Sequence, residues 1–402
     1  MKDMEYFTKL VNKATMPLLL EWLSVGCPSL TEGVDKDANI KACRDAVMAG
    51  TAELNNIVRG KLEGIAERVM HLSSRAGQEA ITSLRDNISN IDGLDEQPDQ
   101  SNRALWLFLN DLQRFAEAEA ARYTIENRMS ARLYSGFEGP VNQPLQLNSE
   151  QLDTFKNQVK ETLGTTDEII IEHFVRSDFS DEDDVTLHHM TVAFNTDQSS
   201  YEHIAENRLQ TEYYTPAAKI HLTYEPKTGF VEIYSSRIST ARRDLAKIFS
   251  STILQHEIEG QPVSIREFDL DSMITSRDFP FDGEPVTGVK LQMLKFRQDG
   301  FRTDDKGNRR PVDNSLTIQV DRYESGSIFE IARDKFNLAD FSGLIIKQVK
   351  LSIQLAKQPG QHARSIPVTI TLPNHCSNNG LTESDRQLRD RLLVRWGLVV
   401  QF

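Results

Sequence analysis

The sequence predicts an α+β protein: a helical N-terminal part with long antiparallel helices, then a mostly antiparallel sheet domain with packed helices. Three observations carry this. From Leu54 to Ile91 apolar residues recur at helical spacing almost without a break. Beyond residue 164 the period shortens to that of strands, with β-branched residues enriched. The later segments run as strands, helix, strands, helix, strands, helix, with hairpin-like neighbours, which is not the strict alternation of a doubly wound fold.

Met4 to Leu23 carries a loose apolar stripe ending at Gly26-Cys27-Pro28, and Ile40 to Met48 forms a shorter one ending at Gly50. The run from Thr51 to Ile91 reads as one helix of about 60 Å. Gly60, Gly64 and Gly77 inside it each cost up to about 1 kcal/mol relative to Ala, so they mark close helix approach or a kink. After a polar turn containing Asp95, Pro98 and Asp99, residues from Leu105 to Leu133 trace a second long helix, expected to return antiparallel. Spare apolar residues such as Ile57, Met70 and Ile81 would leave a patch on a lone helical hairpin, so residues 51–134 are expected to join a second copy or a protein partner.

Gly136, Gly139, Pro140, Asn142, Pro144 and Asn148 cluster breakers of three kinds. They divide the chain into an all-helical interaction domain, 1–140, and an α+β domain, 145–402. Leu152 to Leu163 is a helix closed by Gly164, and strands are expected at 168–175, 185–195, 219–224, 230–235, 286–296, 316–323, 344–355 and 366–372. Pro226-Lys227-Thr228-Gly229 is a turn joining two of them. Ser239 to Leu254 is an amphipathic helix. Ser327 with Glu330 forms a capping box, and Thr382 with Asp385 opens a last helix that Gly397 stops.

Composition excludes several classes. At 402 residues, 39% hydrophobic and 26% charged, the chain can bury two cores. No stretch approaches 18 uninterrupted apolar residues and the N-terminus lacks a secretory apolar core, so a cytoplasmic protein with no membrane partner is expected. Cys27, Cys43 and Cys376 form no CxxC pair, which fits a reducing compartment. The net charge is −13, but it is uneven: Lys and Arg against Asp and Glu number 16 and 21 in 1–140, 6 and 17 in 141–235, and 24 and 21 in 236–402. An anionic partner would meet the last part.

The signatures of phosphate loops, dinucleotide sites, α/β-hydrolases, zincins and kinases are missing. No cofactor is named by any motif. Asp181, Asp183 and their acidic neighbours, followed by His188-His189, form the richest set of metal-ligand types, with His173 and His221 on strands close by in sequence. Successive residues on a strand face opposite ways, so His188 and His189 cannot chelate one ion together. The plainer reading is a solvated acidic loop entering a strand. Glu225-Pro226-Lys227 has the letters of a nuclease strand but sits in a tight turn, and His375-Cys376 lacks a demonstrated base.

Arg297, Arg302, Lys306, Arg309 and Arg310 surround Phe301 on a long hairpin tip, a mixture suited to phosphate and base. Arg242 and Arg243 with Lys247, and four arginines of the last helix, add two more basic clusters. The expectation is a non-enzymatic interaction component of a cytoplasmic, prokaryotic assembly, with nucleic acid as the leading anionic partner and host defence as the setting. The alternative is a metal-dependent hydrolase or nuclease built on His173, Asp181, Asp183, His189 and His221 near residues 172–189.

Overall fold

The computed structural model describes residues 4–32, 34, 39–128, 130, 132–178, 185–205, 207–236, 239–263, 267–303, 309–312, 314–321, 326–338, 341, 343–357, 363–372, 375–377 and 381–400. In chain order the first helices are α1 (Glu5–Lys13), α2 (Met16–Gly26), α3 (Ile40–Gly50), α4 (Asn56–Leu72), α5 (Arg75–Ser83), α6 (Ile91–Asp95), α7 (Gln100–Asn110) and α8 (Leu112–Asn127). Then come β1 (Tyr134–Glu138), α9 (Ser149–Leu163), β2 (Ile169–Asp178), β3 (Val185–Asn195), β4 (Ser199–Ala205), β5 (Arg208–Tyr214), β6 (Ala217–Glu225), β7 (Phe230–Tyr234) and α10 (Ser239–Thr252). The last stretch holds β8 (Glu267–Phe268), β9 (Val286–Gln298), β10 (Phe301–Thr303), β11 (Arg309–Pro311), β12 (Ser315–Gln319), α11 (Ile328–Phe336), β13 (Leu344–Leu355), β14 (Ser365–Thr371), β15 (His375–Cys376), α12 (Glu383–Arg395) and β16 (Val399–Val400). The fold is α+β with antiparallel sheets, as the sequence predicts. Two compact units form from interleaved stretches: Met1–Glu126 with Ile170–Val192, and Asn127–Ile169 with Ala193–Phe402.

The first unit corrects the expectation of a single helix of about 60 Å. Between Thr51 and Ile91 the chain makes α4, α5 and the start of α6, with Ser73-Ser74 between the first two and a 3-10 turn, Arg85–Asn87, between α5 and α6. Polar caps cause the breaks. The Asn55 side chain accepts from Val58 N, Ser74 from Gly77 N and Asn90 from Gly93 N, so each restarts a helix whose apolar period alone would have run on. Gly77 makes the sharpest break, since a Cβ there would sit 2.4 Å from the backbone of Leu72. Gly60 and Gly64 face open space and mark no close approach. The second expected long helix breaks likewise, at Asp111, whose carboxylate accepts from Arg114 N at 3.1 Å and caps α8.

The broken helices fold onto one core that includes Phe7, Trp22, Val69, Leu72, Leu105 and Phe115. The α1 N-terminus has no cap of its own, and Glu63 of α4 supplies one by accepting from Tyr6 N and Phe7 N at 3.0 and 2.8 Å. Buried Asn102 accepts from Thr15 N at 2.7 Å and so fixes the α1–α2 corner to α7. Ile81 is 3% exposed and Met70 packs against the core, so of the three residues expected to form a spare patch only Ile57 lies exposed. Phe174 of β2 enters the same core, and Asn87 donates to Val175 O at 2.7 Å.

In the second unit β7 pairs antiparallel with β1 and with β6. Phe155 of α9 meets Phe249 of α10 edge to face at 6.2 Å, and Phe249 in turn meets Tyr224 of β6. The β6–β7 turn approaches the end of β1 closely. Gly229, at φ +74, would place a Cβ 2.5 Å from Gly139 O, so only glycine fits. Tyr224 OH donates within the segment that follows, to Pro140 O and Gln143 O, both at 2.9 Å.

Another antiparallel sheet, of five strands, runs β12-β9-β13-β14-β15. Its inward residues, including Phe296, Val349, Leu351 and Val368, form a core with Leu392 and Trp396 of the α12 end. The Ser327 and Glu330 capping box forms, and Asn337 closes α11 in the left-handed region. Leu398 is buried and β16 pairs with β8, which accounts for the apolar tail as far as it is described. No helix among the described residues is long and apolar enough to cross a membrane.

Candidate interaction surface

The surface feature that stands out is the ribbon β4–β5. Ser-Ser-Tyr-Glu-His-Ile-Ala and Arg-Leu-Gln-Thr-Glu-Tyr-Tyr flank a short turn in which Asn207 takes φ +59, and the two strands pair from Ser199↔Tyr214 to Ala205↔Arg208. Thr196 ties the root, its N and Oγ1 donating to Pro216 O at 2.8 and 2.9 Å. The strands form a two-stranded sheet of their own, and every residue of β5 is exposed. A lone two-stranded hairpin is marginal in water, because it has no third layer to bury its apolar side chains.

Its two faces differ, since directly opposed residues share a face. On one, Tyr201 donates its hydroxyl to Glu212, meets the Tyr214 ring at 5.9 Å and lies 5.7 Å from His203, whose Nε2 is 3.6 Å from Glu212. That face covers itself. On the other, Ile204 stands opposite Leu209 with Tyr213 two positions along, and they are 78, 65 and 68% exposed. Sequence reading missed this ribbon because neither strand alternates cleanly, although Tyr, Ile and Thr on both sides of a turn were a usable signal.

The three basic clusters do not form one surface. Arg242 turns inward, donating from Nε to Ser135 Oγ at 2.9 Å and from Nη1 to Arg132 O and Ser235 O at 3.0 Å, and burial lowers its pKa. Arg243 is half-buried, with its stem beside Gly260. On α12, Arg389 donates to Ser377 O and pairs with Asp390, Arg391 and Arg395 pair with Glu284, and Arg386 is buried. Arg242, Arg386 and Arg389 are thus spent inside the fold, and Arg391 and Arg395 are neutralised at the surface by Glu284. The hairpin tip is the exception: Arg297 is half-buried on β9, Arg302 is exposed, and Arg302 stands opposite Arg310 with Arg309 one position away. Lys306 lies outside the described residues.

Of the residues weighed for a metal, Asp181 and Asp183 lie outside the described residues. His173 Nε2 is 3.2 Å from His188 Nδ1 with the rings stacked at 5.4 Å, while His189 is buried and stacks on Phe174 at 4.5 Å. Burial lowers His173, and burial with the neighbouring His173 lowers His188 to about 4, so the contact is a hydrogen bond between neutral rings at pH 7. His221, on β6, is buried and lowered to about 3. Among the described residues no group of three His, Cys, Asp or Glu side chains could hold a metal ion. Glu225-Pro226-Lys227 lies at the β6–β7 turn, and Cys376 is buried on β15.

One buried polar cluster escaped sequence reading. Glu232 of β7 accepts from Arg128 Nε (2.9 Å) and Tyr134 OH (3.1 Å) at Oε1, and from Thr223 Oγ1 (2.6 Å) and Tyr234 OH (2.7 Å) at Oε2. Four donors fill the lone pairs of the carboxylate, which leaves none for a substrate. The cluster is therefore a structural pin, not acid–base machinery.

No protein-family model matches the chain, and no curated protein matches it either.

Proposed function

We propose that this protein is a non-enzymatic interaction component, and that the β4–β5 ribbon is where it engages its partner. The supporting observation is the exposure of Ile204, Leu209 and Tyr213, which share one face with Glu202 and Thr211 on a ribbon too thin to bury them. Among the described residues the lone pairs of Glu232 are filled and the arginines of α12 are paired or buried, so neither cluster offers free groups to a substrate. The test is I204S/L209S/Y213S, three exposed changes that leave circular dichroism and thermal unfolding near wild type. Gel filtration of native extract should show the wild type in a larger species that the variant does not join. An unchanged profile contradicts the reading.

The hydrolase alternative rests on the His173–His188 contact and on Asp181 and Asp183. Metal titration followed by calorimetry tests it, and saturable one-site binding lost in H173A would favour it.

A further inference from the structure

We propose that β5 pairs antiparallel with β5 of a second copy of this chain, about a two-fold axis through Thr211, so that two ribbons fuse into one four-stranded sheet. This rests on the ribbon being the interaction surface and adds the identity of the partner. β5 is hydrogen-bonded to β4 along one edge, and no other described strand pairs with it. Its second edge therefore presents a row of main-chain donors and acceptors across seven exposed residues, with no proline to interrupt them.

The side chains suit that pairing. Reading Arg208 to Tyr214 against itself about Thr211 sets Arg208 opposite Tyr214, Leu209 opposite Tyr213 and Gln210 opposite Glu212. All seven residues find a partner, and no like charges meet. On the bare face, Leu209 would lie between Ile204 of its own ribbon and the partner's Tyr213, so each apolar residue gains a neighbour that the lone ribbon lacks. On the other face the Arg208 guanidinium would lie over the partner's Tyr214 ring, and the Gln210 amide would reach the partner's Glu212. β4 offers no equivalent edge. The same operation centred on β4 would put Glu202 opposite itself, two carboxylates facing each other. Charge thus selects β5.

A disulfide trap tests the pairing on the full chain. Directly opposed antiparallel residues have Cα atoms about 4.5–5.5 Å apart, within the range a disulfide spans. Cys27, Cys43 and Cys376 are buried, so background crosslinking is low. Under mild oxidation T211C should give at least about tenfold more covalent dimer than E202C or Q210C, which is the margin expected where only one position stands opposite itself. Light scattering should report a dimer for wild type and a monomer for L209S/Y213S. A monomeric wild type at high concentration, or trapping at position 202 or 210 that equals that at 211, overturns the proposal. If the wild type is monomeric yet I204S/L209S/Y213S still loses a larger complex in native extract, the ribbon remains an interaction surface for another partner. If that variant changes nothing, both readings fall.

Discussion

Arg128 donates its Nε to Oε1 of Glu232 at 2.9 Å, and 104 residues of chain separate them. The pair joins the segment after α8 to the middle of a sheet formed much later in the sequence. Burial, the largest influence on Glu232, pushes its pKa up, but the Arg128 charge and the hydroxyls of Thr223, Tyr234 and Tyr134 together hold it below the usual carboxylate range. Burial beside that carboxylate drives Tyr134 and Tyr234 well above the ordinary phenol value.

Glu232→Ala should therefore destabilise the protein by about 3–5 kcal/mol, because it removes the buried carboxylate on which half-buried Arg128 and three buried hydroxyls converge. Tyr234→Phe, which removes one donor and leaves the packing, should cost about 1 kcal/mol. Urea unfolding measures both, and equal costs for the two variants would contradict a carboxylate-centred pin.

Stability should fall in mild acid. The folded pKa values of His188, about 4, and His221, about 3, lie below the ordinary 6.5, so the unfolded chain binds protons more readily than the folded one. The stability they contribute is fully present above pH 6.5 and is lost as pH falls through the window toward 4 and then 3. Glu232, held low, adds its loss only below the ordinary 4.5. Urea midpoints should drop between pH 7.5 and 5, and H188Q should flatten that slope. Identical midpoints at the two pH values would contradict the burial of these rings.

The glycines of the first unit separate by environment. Gly60→Ala and Gly64→Ala, in open space on α4, should each stabilise by about 0.5–1 kcal/mol. Gly77→Ala forces a Cβ against the Leu72 backbone and should destabilise by about 1–3 kcal/mol. Thermal unfolding decides the sign of each.

How much of this was legible depended on scale. The β6–β7 turn, the Ser327 box and eight of the strands followed from local chemistry and form close to where they are read. The long helix did not, because apolar period outvoted Asn55, Ser74 and Asn90, whose capping competes with helix continuation only where the chain folds back. Gly136 and Gly139 look like breakers on paper, yet Gly136 pairs with Glu232 inside β1 and Gly139 lets the β6–β7 turn approach. Arg242 and the α12 arginines looked like a basic surface because sequence shows charge but not the carbonyls and carboxylates that meet it. The Glu232 cluster joins residues from 128 to 234, and no pattern in sequence announces such a meeting.

Of the three basic clusters read from the sequence, the hairpin tip is the one whose described arginines are not tied into the fold, and R302A/K306A/R309A/R310A tests whether it meets an anionic partner. Arg302 is exposed, and a change at such a position alters stability by less than about 0.5 kcal/mol. If the tip grips nucleic acid, wild-type binding should weaken steeply with salt and the variant should show a shallower slope, since fewer counterions are displaced. Equal slopes, or no binding at low salt, would remove nucleic acid from the reading.

Hydrogen exchange across residues 199–214 tests the central claim most directly, with the dilute purified protein compared against the same protein in its largest native species. A ribbon with every β5 residue exposed should exchange fast when alone. In the assembled species the β5 amides that point away from β4 should slow by at least about a hundredfold, as edge amides do on gaining a strand partner. Fast exchange throughout the ribbon in both samples, with slowing confined to other segments, would contradict the account.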